Sequence, residues 1–288
     1  MAKKSLIIFI ILLCALGAAG LYYPAKKYFR PARQAKPIPK PEEVTLRFVE
    51  GWTIQDIGEY LSNDQKRESL PHIITVSEFL AAQKKYPLTN YPILASKPAG
   101  ASLEGFLFPD SYRFFVSSLS TASGTPEEIA NAIIKKMLDN FNLKFTSEMQ
   151  AQAVKQNLSV YKIITLASII EKETGASETE KKTVASIFYN RLKAGMPLQS
   201  DATVNYVTKK NVAAPSEADT KVDSLYNTYQ HQGLPPGPIC NPSLASIMAA
   251  LYPGDNDYMY FLHDQKTGQA FYAKTYDEHL ANKQKYLK

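Results

Sequence analysis

Nineteen consecutive uncharged residues, SLIIFIILLCALGAAGLYY from Ser5 to Tyr23, stand behind Lys3 and Lys4 near the start of the chain. As a helix such a run is long enough to cross the hydrocarbon core of a bilayer, and Tyr22 and Tyr23 suit its interface. The remainder must then fold on one side of a membrane, tethered at its N-terminus. A cleaved signal peptide is the main rival, because Gly17-Ala18-Ala19-Gly20 supplies small residues, but the apolar run is long for a signal core and favours a retained anchor. Lipid attachment at Cys14 is disfavoured by Leu13, where a small residue is wanted. The side is open at this point. Six Lys/Arg between Lys26 and Lys40 follow the run, which places the bulk of the chain in the cytoplasm by the positive-inside rule, whereas a four-residue tail resembles a signal anchor and argues the opposite.

Charge is distributed just as unevenly. The 288 residues carry a net +6, yet residues 1–40 hold eight Lys/Arg and no Asp/Glu, which leaves residues 41–288 at −2. The basic balance belongs to the flanks of the apolar run and gives no footprint for nucleic acid. At 45% hydrophobic and 21% charged, the chain as a whole has the composition of an ordinary globular protein. Cys14 lies in the apolar run and Cys240 is alone, so no intrachain disulfide is expected in the soluble part.

Five segments follow: a tail at 1–4, a transmembrane helix at 5–23, a Pro-rich basic linker at 24–42, a small α/β module at 43–102 and a larger domain at 103–288. Val44, Leu46 and Phe48 alternate as in a strand, Glu50-Gly51 turns, and Thr53 caps a helix over IQDIGEYLS. VSEFLAAQKK reads as a second helix. LEGFLFPDSYRF (Leu103–Phe114), aromatic and broken by Pro109, reads as a connector. TPEEIANAIIKKMLDNF begins with Thr125 as cap and Pro126 in the first turn. ETEKKTVASIFYNRLKAG lines Val184, Ile187, Phe188 and Leu192 along one side and ends at Gly195. Asp264-Gln-Lys-Thr-Gly268 reads as a hairpin between YMYFLH and QAFYAKT, and YDEHLANKQKYLK as a closing helix.

The stretch LASIIEKET (Leu166–Thr174) poses the chemical question. On a helix, Val160, Ile163, Ile164, Ala167, Ile170 and Thr174 share one stripe, and Glu171 falls inside it, while Lys172 and Glu173 point away. A carboxyl held on an apolar stripe loses hydration, so its pKa should rise, as a general acid requires. A buried structural hydrogen-bond hub fits the same pattern. The four histidines (His72, His231, His263, His279) are scattered, no H-E-x-x-H or cysteine pair occurs, and neither a G-x-S-x-G nucleophile motif nor a Gly-rich phosphate loop is present. No metal or other cofactor is implied, and His279 reads as a surface or hairpin contact. Gln199, Ser200 and Asp201 in GMPLQSDATVNY, and Tyr226, Asn227, Thr228 and Gln232 in the irregular stretch Tyr226–Ser243, offer the amides and rings of a sugar groove. The same stretches equally serve to cap the fold and satisfy its backbone.

ASIIEKET, VASIFYNRLKAGMPLQSDATVNY and YNTYQHQGLPPGPICNPS, in this order and spacing, resemble the endolytic murein transglycosylase (YceG-like) family, and LEGFLFPDSYRF and FYAKTYDEHLANKQKY match it too. The likeness covers about residues 44–288. It implies an α+β fold made of one N-terminal membrane helix, a small LysM-like subdomain and a mixed α+β catalytic domain outside the cytoplasmic membrane. This settles the orientation against the charge count. The catalytic glutamate of the family is the first Glu of E-K-E-T, here Glu171. One departure is Ser243, where N-P-G is more usual; it bears on the local turn.

The resemblance further implies cleavage of the MurNAc-β-1,4-GlcNAc bond within peptidoglycan glycan strands to give 1,6-anhydromuramyl ends, with termination or trimming of nascent strands as the role. Synthases of the wall are candidate companions. Gln199, Asp201, Tyr226, Asn227 and Thr228 are candidate substrate-binding residues, and Asp201 is the obvious second carboxylate. Glu104 and Asp110 read equally as structural. Two alternatives stand beside this one: a muramidase using Asp201 to activate water, and a wall-binding scaffold without activity.

Overall fold

The computed structural model describes residues 41–63, 73–120, 122, 124–210, 212, 214–264 and 266–287. The tail at 1–4, the proposed membrane helix at 5–23, the linker to residue 40 and His72 lie outside the described residues. No helix among the described residues is long and apolar enough to cross a membrane. The architecture is α+β in a mostly helical form. Nine α-helices accompany two separate two-stranded antiparallel sheets among the described residues.

Strand β1 (Glu43–Arg47) leads into α1 (Ile54–Ser62) and α2 (Val76–Lys85). Thr53 caps α1 through a reciprocal pair of bonds with Asp56, and Thr75 does the same for α2 with Glu78. The segment read as a connector is only partly one: after Pro109 the chain forms strand β2 (Ser111–Phe115), which pairs with β1. The alternation of Tyr112 and Phe114 is the strand signal that Pro109 obscures. Their rings face inward beside Leu46, directly opposite Tyr112 across the ladder. This pairing joins residue 43 to residue 115, across the 102/103 boundary drawn from sequence.

Five more helices surround one another next: α3 (Pro126–Lys144), α4 (Ser147–Lys155), α5 (Val160–Glu173), α6 (Glu178–Lys193) and α7 (Asp201–Thr208). Then come α8 (Leu244–Leu251), the hairpin of β3 (Tyr260–His263) and β4 (Ala270–Ala273), and α9 (Tyr276–Tyr286). The eight-residue helices α7 and α8 have no counterpart in the sequence reading, being barely two turns and too short for a periodicity to register. Helix α5 is the axis of the fold. Tyr161 and every residue from Ile163 to Ile170 are buried, so beyond the apolar stripe read from sequence this part of the helix is covered on all sides. At Glu171 it emerges from the core. Gly105 permits the close approach behind it: with φ at +88°, its position would place a Cβ 2.6 Å from Ile164 Cγ2 and 2.7 Å from Pro238.

Candidate active site

The C-terminal turn of α5 carries two carboxylates on opposite sides. Glu171 turns toward α6 and α8. Its Oε2 accepts the Ser243 hydroxyl at 2.5 Å, the Ser246 hydroxyl at 2.5 Å, the Ser243 backbone N–H at 3.1 Å and Lys181 Nζ at 3.3 Å. Its Oε1 accepts no hydrogen bond among the described residues. The Lys181 side chain is 4% exposed and that of Glu171 10%. Lys181 also donates to Ser246 Oγ at 3.0 Å and Thr174 Oγ1 at 3.3 Å, so the ammonium is held by three acceptors.

This cluster overturns one expectation. Burial does act to raise the Glu171 pKa, but the hydroxyls of Ser243 and Ser246, the Lys181 charge and the Ser243 N–H together hold it below the usual carboxylate range. The carboxyl whose pKa rises is Glu173, expected to point away. It is pushed up by burial and by the Asp201 charge against opposing bonds from the Ser200 hydroxyl and the Ala202 N–H. Ser243 is corrected as well, since its role extends past the local turn: it caps α8 and binds Glu171 directly.

A backbone clamp brings the N-terminal segment to the site. Gly51 donates its N–H to Asn241 O at 2.9 Å, and Asn241 returns one to Trp52 O at 2.8 Å. Gly51 is buried at φ +78°, and a Cβ there would lie 3.7 Å from both Glu171 Cγ and Lys172 Cδ. Behind the clamp, Glu104 is 5% exposed and accepts from Ile54 N at 3.0 Å and from Asn241 Nδ2 at 3.2 Å. Burial pushes its pKa up to about 8, the Ile54 N–H opposing. Asp110 accepts from Asn140 Nδ2 at 3.0 Å.

The other sequence candidates fall on the Glu173 side of α5. Asp201 opens α7 and accepts the Tyr229 hydroxyl at 2.6 Å. Gln199 is exposed at φ +50°, with its N–H on Thr228 O at 3.0 Å. Asn227 and Thr228 are each 1% exposed. Asn227 donates to the carbonyls of Thr220 and Val222, and Thr228 Oγ1 bonds Ser200 N and Thr203 Oγ1, so their polar atoms serve the fold itself. Tyr226 packs on Tyr206 at 5.1 Å, and Lys209 lies 4.2 Å from the Tyr206 ring centre. Tyr206 and Lys209 border a groove of about 470 Å³ between α1 and α7 that reaches Lys172 and Ala202. No three His, Cys, Asp or Glu side chains among the described residues converge as metal ligands. His279 stacks on Tyr260 of the hairpin.

The YceG-like family model matches residues 19–285. The chain belongs to the YceG-like family. A Bacillus subtilis (strain 168) protein named endolytic murein transglycosylase is 38% identical over 205 residues, 71% of this chain and 54% of that protein. A Streptococcus pneumoniae (strain ATCC BAA-255 / R6) protein of the same name is 33% identical over 260 residues, 84% of this chain and 44% of that protein. This YceG-like chain thus spans about half the length of the curated relatives it matches. The crystal structure of a yceG-like protein from Listeria monocytogenes superposes with a TM-score of 0.68 at 34% identity, covering 82% of this chain and 75% of that one.

Sequence reasoning selected Glu171 and missed its partners. A signal for Lys181 was present: it shares a helical face with the apolar residues Val184, Ala185 and Phe188, an unusual place for a lysine. Ser243, directly ahead of the apolar run LASIMAAL, and Ser246, three residues on within it, carry a helix-cap signature. Nothing local links either serine to Glu171, 72 and 75 residues away.

Proposed function

We propose that this chain is a lytic transglycosylase that cleaves the MurNAc-β-1,4-GlcNAc bond within peptidoglycan glycan strands, with Glu171 as general acid and then base. The observation that carries the reading is the asymmetry of the Glu171 carboxyl: four donors fix Oε2, and Oε1 is left without a partner among the described residues. A proton on Oε1 leaves every bond to Oε2 intact. Donation from Oε1 to the glycosidic oxygen breaks the C1–O bond and releases the next sugar with a free 4-hydroxyl, as an oxocarbenium-like centre develops at C1. The muramyl C6 hydroxyl attacks C1 and returns its proton to Glu171, which restores the enzyme and closes the 1,6-anhydro ring. The nucleophile belongs to the substrate, so the second carboxylate of a hydrolase is not required. Lys181, 3.3 Å from Oε2, offsets the negative charge while the proton is away.

The same reading places the chain in the cytoplasmic membrane by residues 5–23, with a LysM-like subdomain over 43–102 and a catalytic domain over 103–288 on the extracytoplasmic side. Nascent glycan is its substrate and wall synthases are its neighbours. Family membership supports the reaction class, and the names of the relatives support its substrate. The test is mass spectrometry of glycan digested by the whole protein. Anhydromuramyl ends support the proposal, reducing ends indicate a muramidase, and binding without product indicates a scaffold.

A further inference from the structure

The groove between α1 and α7 has walls of opposite charge. Asp56 and Glu59 line it from α1, Lys172 from the end of α5 and Lys209 from the end of α7, with Tyr206 and Ile239 as apolar surface. Lys172 follows Glu171 in the chain, and its Nζ donates at 3.4 Å to the carbonyl of Gly51, whose backbone lies against the Glu171 side chain. Lys209, exposed and held at φ +58°, lies over the Tyr206 ring at 4.2 Å. Glu59 is exposed and accepts from Gln55 Nε2 at 3.0 Å. None of Lys172, Lys209 and Glu59 forms an ion pair among the described residues. Asp56 is engaged in the cap of α1, which leaves Glu59 as the carboxylate for a cation. At about 470 Å³ the groove has the size of a small-ligand site. Its α1 wall from Thr53 to Glu59 runs about 9 Å by helix rise, the length of roughly three residues of extended peptide.

We propose that this groove binds the stem peptide of the muramyl sugar at the scissile bond, with Lys172 and Lys209 on the peptide's carboxylates and Glu59 on the ammonium of its diamino residue. The inference rests on the proposed function and places a part of the substrate which that function leaves unplaced. The peptide is attached through the lactyl ether at C3 of the same ring whose C1–O bond breaks, so it leaves the sugar close to the proton donor. A cavity walled by Lys172, the next residue of α5, is there to receive it. The charges agree with this occupant. A stem peptide carries both signs of charge among short aliphatic side chains, and the groove offers both signs around Tyr206 and Ile239. The N-acetyl sugars of the strand are neutral when the lactyl group is amide-linked, and they give the unpaired charges of the groove nothing to meet.

The experiment measures cleavage by the whole protein on peptide-bearing glycan strands and on the same strands stripped of peptide by an amidase, for wild type, K209M and E59Q. The free tetrapeptide L-alanyl-γ-D-glutamyl-L-lysyl-D-alanine is titrated into each protein and followed by ligand-observed NMR. Wild type is expected to cleave the peptide-bearing strands with a kcat/KM about tenfold higher, the worth of one or two charge-assisted contacts. K209M and E59Q are each expected to reduce that preference about threefold and to weaken the peptide signal. A merely structural fault would slow both substrates alike and leave the preference in place. Equal cleavage of the two strands by wild type, or a preference that both substitutions leave unchanged, would overturn the inference, while anhydro ends in the same digests would uphold the proposed function. A wild type without product on either strand would sink the proposed function. The peptide titration then decides the groove by itself, and no signal from wild type would overturn the inference.

Discussion

Ser243 holds Glu171 twice, through its hydroxyl at 2.5 Å and its backbone N–H at 3.1 Å, both on Oε2. A glycine at this position, the more usual residue of the family pattern, would keep the N–H and lose the hydroxyl. The serine therefore makes Glu171 of this chain more acidic than a glycine would. S243G is expected to raise the Glu171 pKa and to extend cleavage to higher pH by about one unit. The cost in stability is expected to be only a few tenths of a kcal/mol, because glycine is itself an acceptable N-cap. An unchanged pH profile of kcat/KM would show that the hydroxyl does not tune the acid.

Lys181 pulls in the same direction from α6. In K181M the packing is kept and the buried ammonium is lost, so Glu171 is expected to hold its proton to higher pH, again by about one unit or more. The transition state loses a cation beside the departing proton, so kcat is expected to fall at every pH. A burial of this depth makes the pair costly to break, on the order of 3 kcal/mol, and the midpoint of urea unfolding reads that loss. Full activity at the original optimum would exclude an electrostatic role for the lysine.

In wild type the free enzyme has Glu171 below the ordinary carboxylate range. The acid form of the site therefore becomes scarcer as pH rises through that range, and kcat/KM is expected to decline from acidic toward neutral pH. A profile flat from pH 4 to 7 would contradict this assignment of the donor.

Glu104 gives a pH dependence of stability with the opposite sign from an ion-paired carboxylate. Its folded pKa of about 8 lies above the ordinary glutamate value of 4.5, so the folded state binds the proton more tightly than the unfolded chain. The stability from this group is complete below about pH 4.5 and is lost as pH rises through 8. E104Q keeps an acceptor for the Ile54 N–H and cannot ionise. It is expected to flatten the fall of Tm between pH 6 and 9, a difference on the order of a few kcal/mol. Parallel curves for the two proteins would place the proton elsewhere.

G105A tests the packing behind the site. The added methyl meets Ile164 and Pro238 at positive φ, and the expected loss is about 3 kcal/mol in denaturant unfolding. A loss below about 1 kcal/mol would mean that the loop around Pro238 yields easily.

Much of this was legible in the sequence, for identifiable reasons. Thr53 and Thr125 are strong local caps, the Asp264–Gly268 turn is short, and helices α3 and α6 are long enough to show their period. Strand β2 escaped because Pro109 marks a break and its partner is about 70 residues away. Helical geometry correctly separated Glu171 from Glu173, which leave the helix on opposite sides. It failed on protonation, because burial is only one of several effects on a carboxyl, and the serines and lysine that outweigh it come from α6 and α8. A hydrogen bond between residues 72 apart leaves no periodic trace.

The most direct test of the central claim is product analysis of wild type and E171Q on the same glycan. The amide keeps an acceptor for the serines at Oε1 and cannot donate an acidic proton, so folding is expected to persist while cleavage falls by at least about a thousandfold. Wild type is expected to leave 1,6-anhydromuramyl ends and E171Q intact strands. Anhydro ends released by E171Q at the wild-type rate would contradict the account.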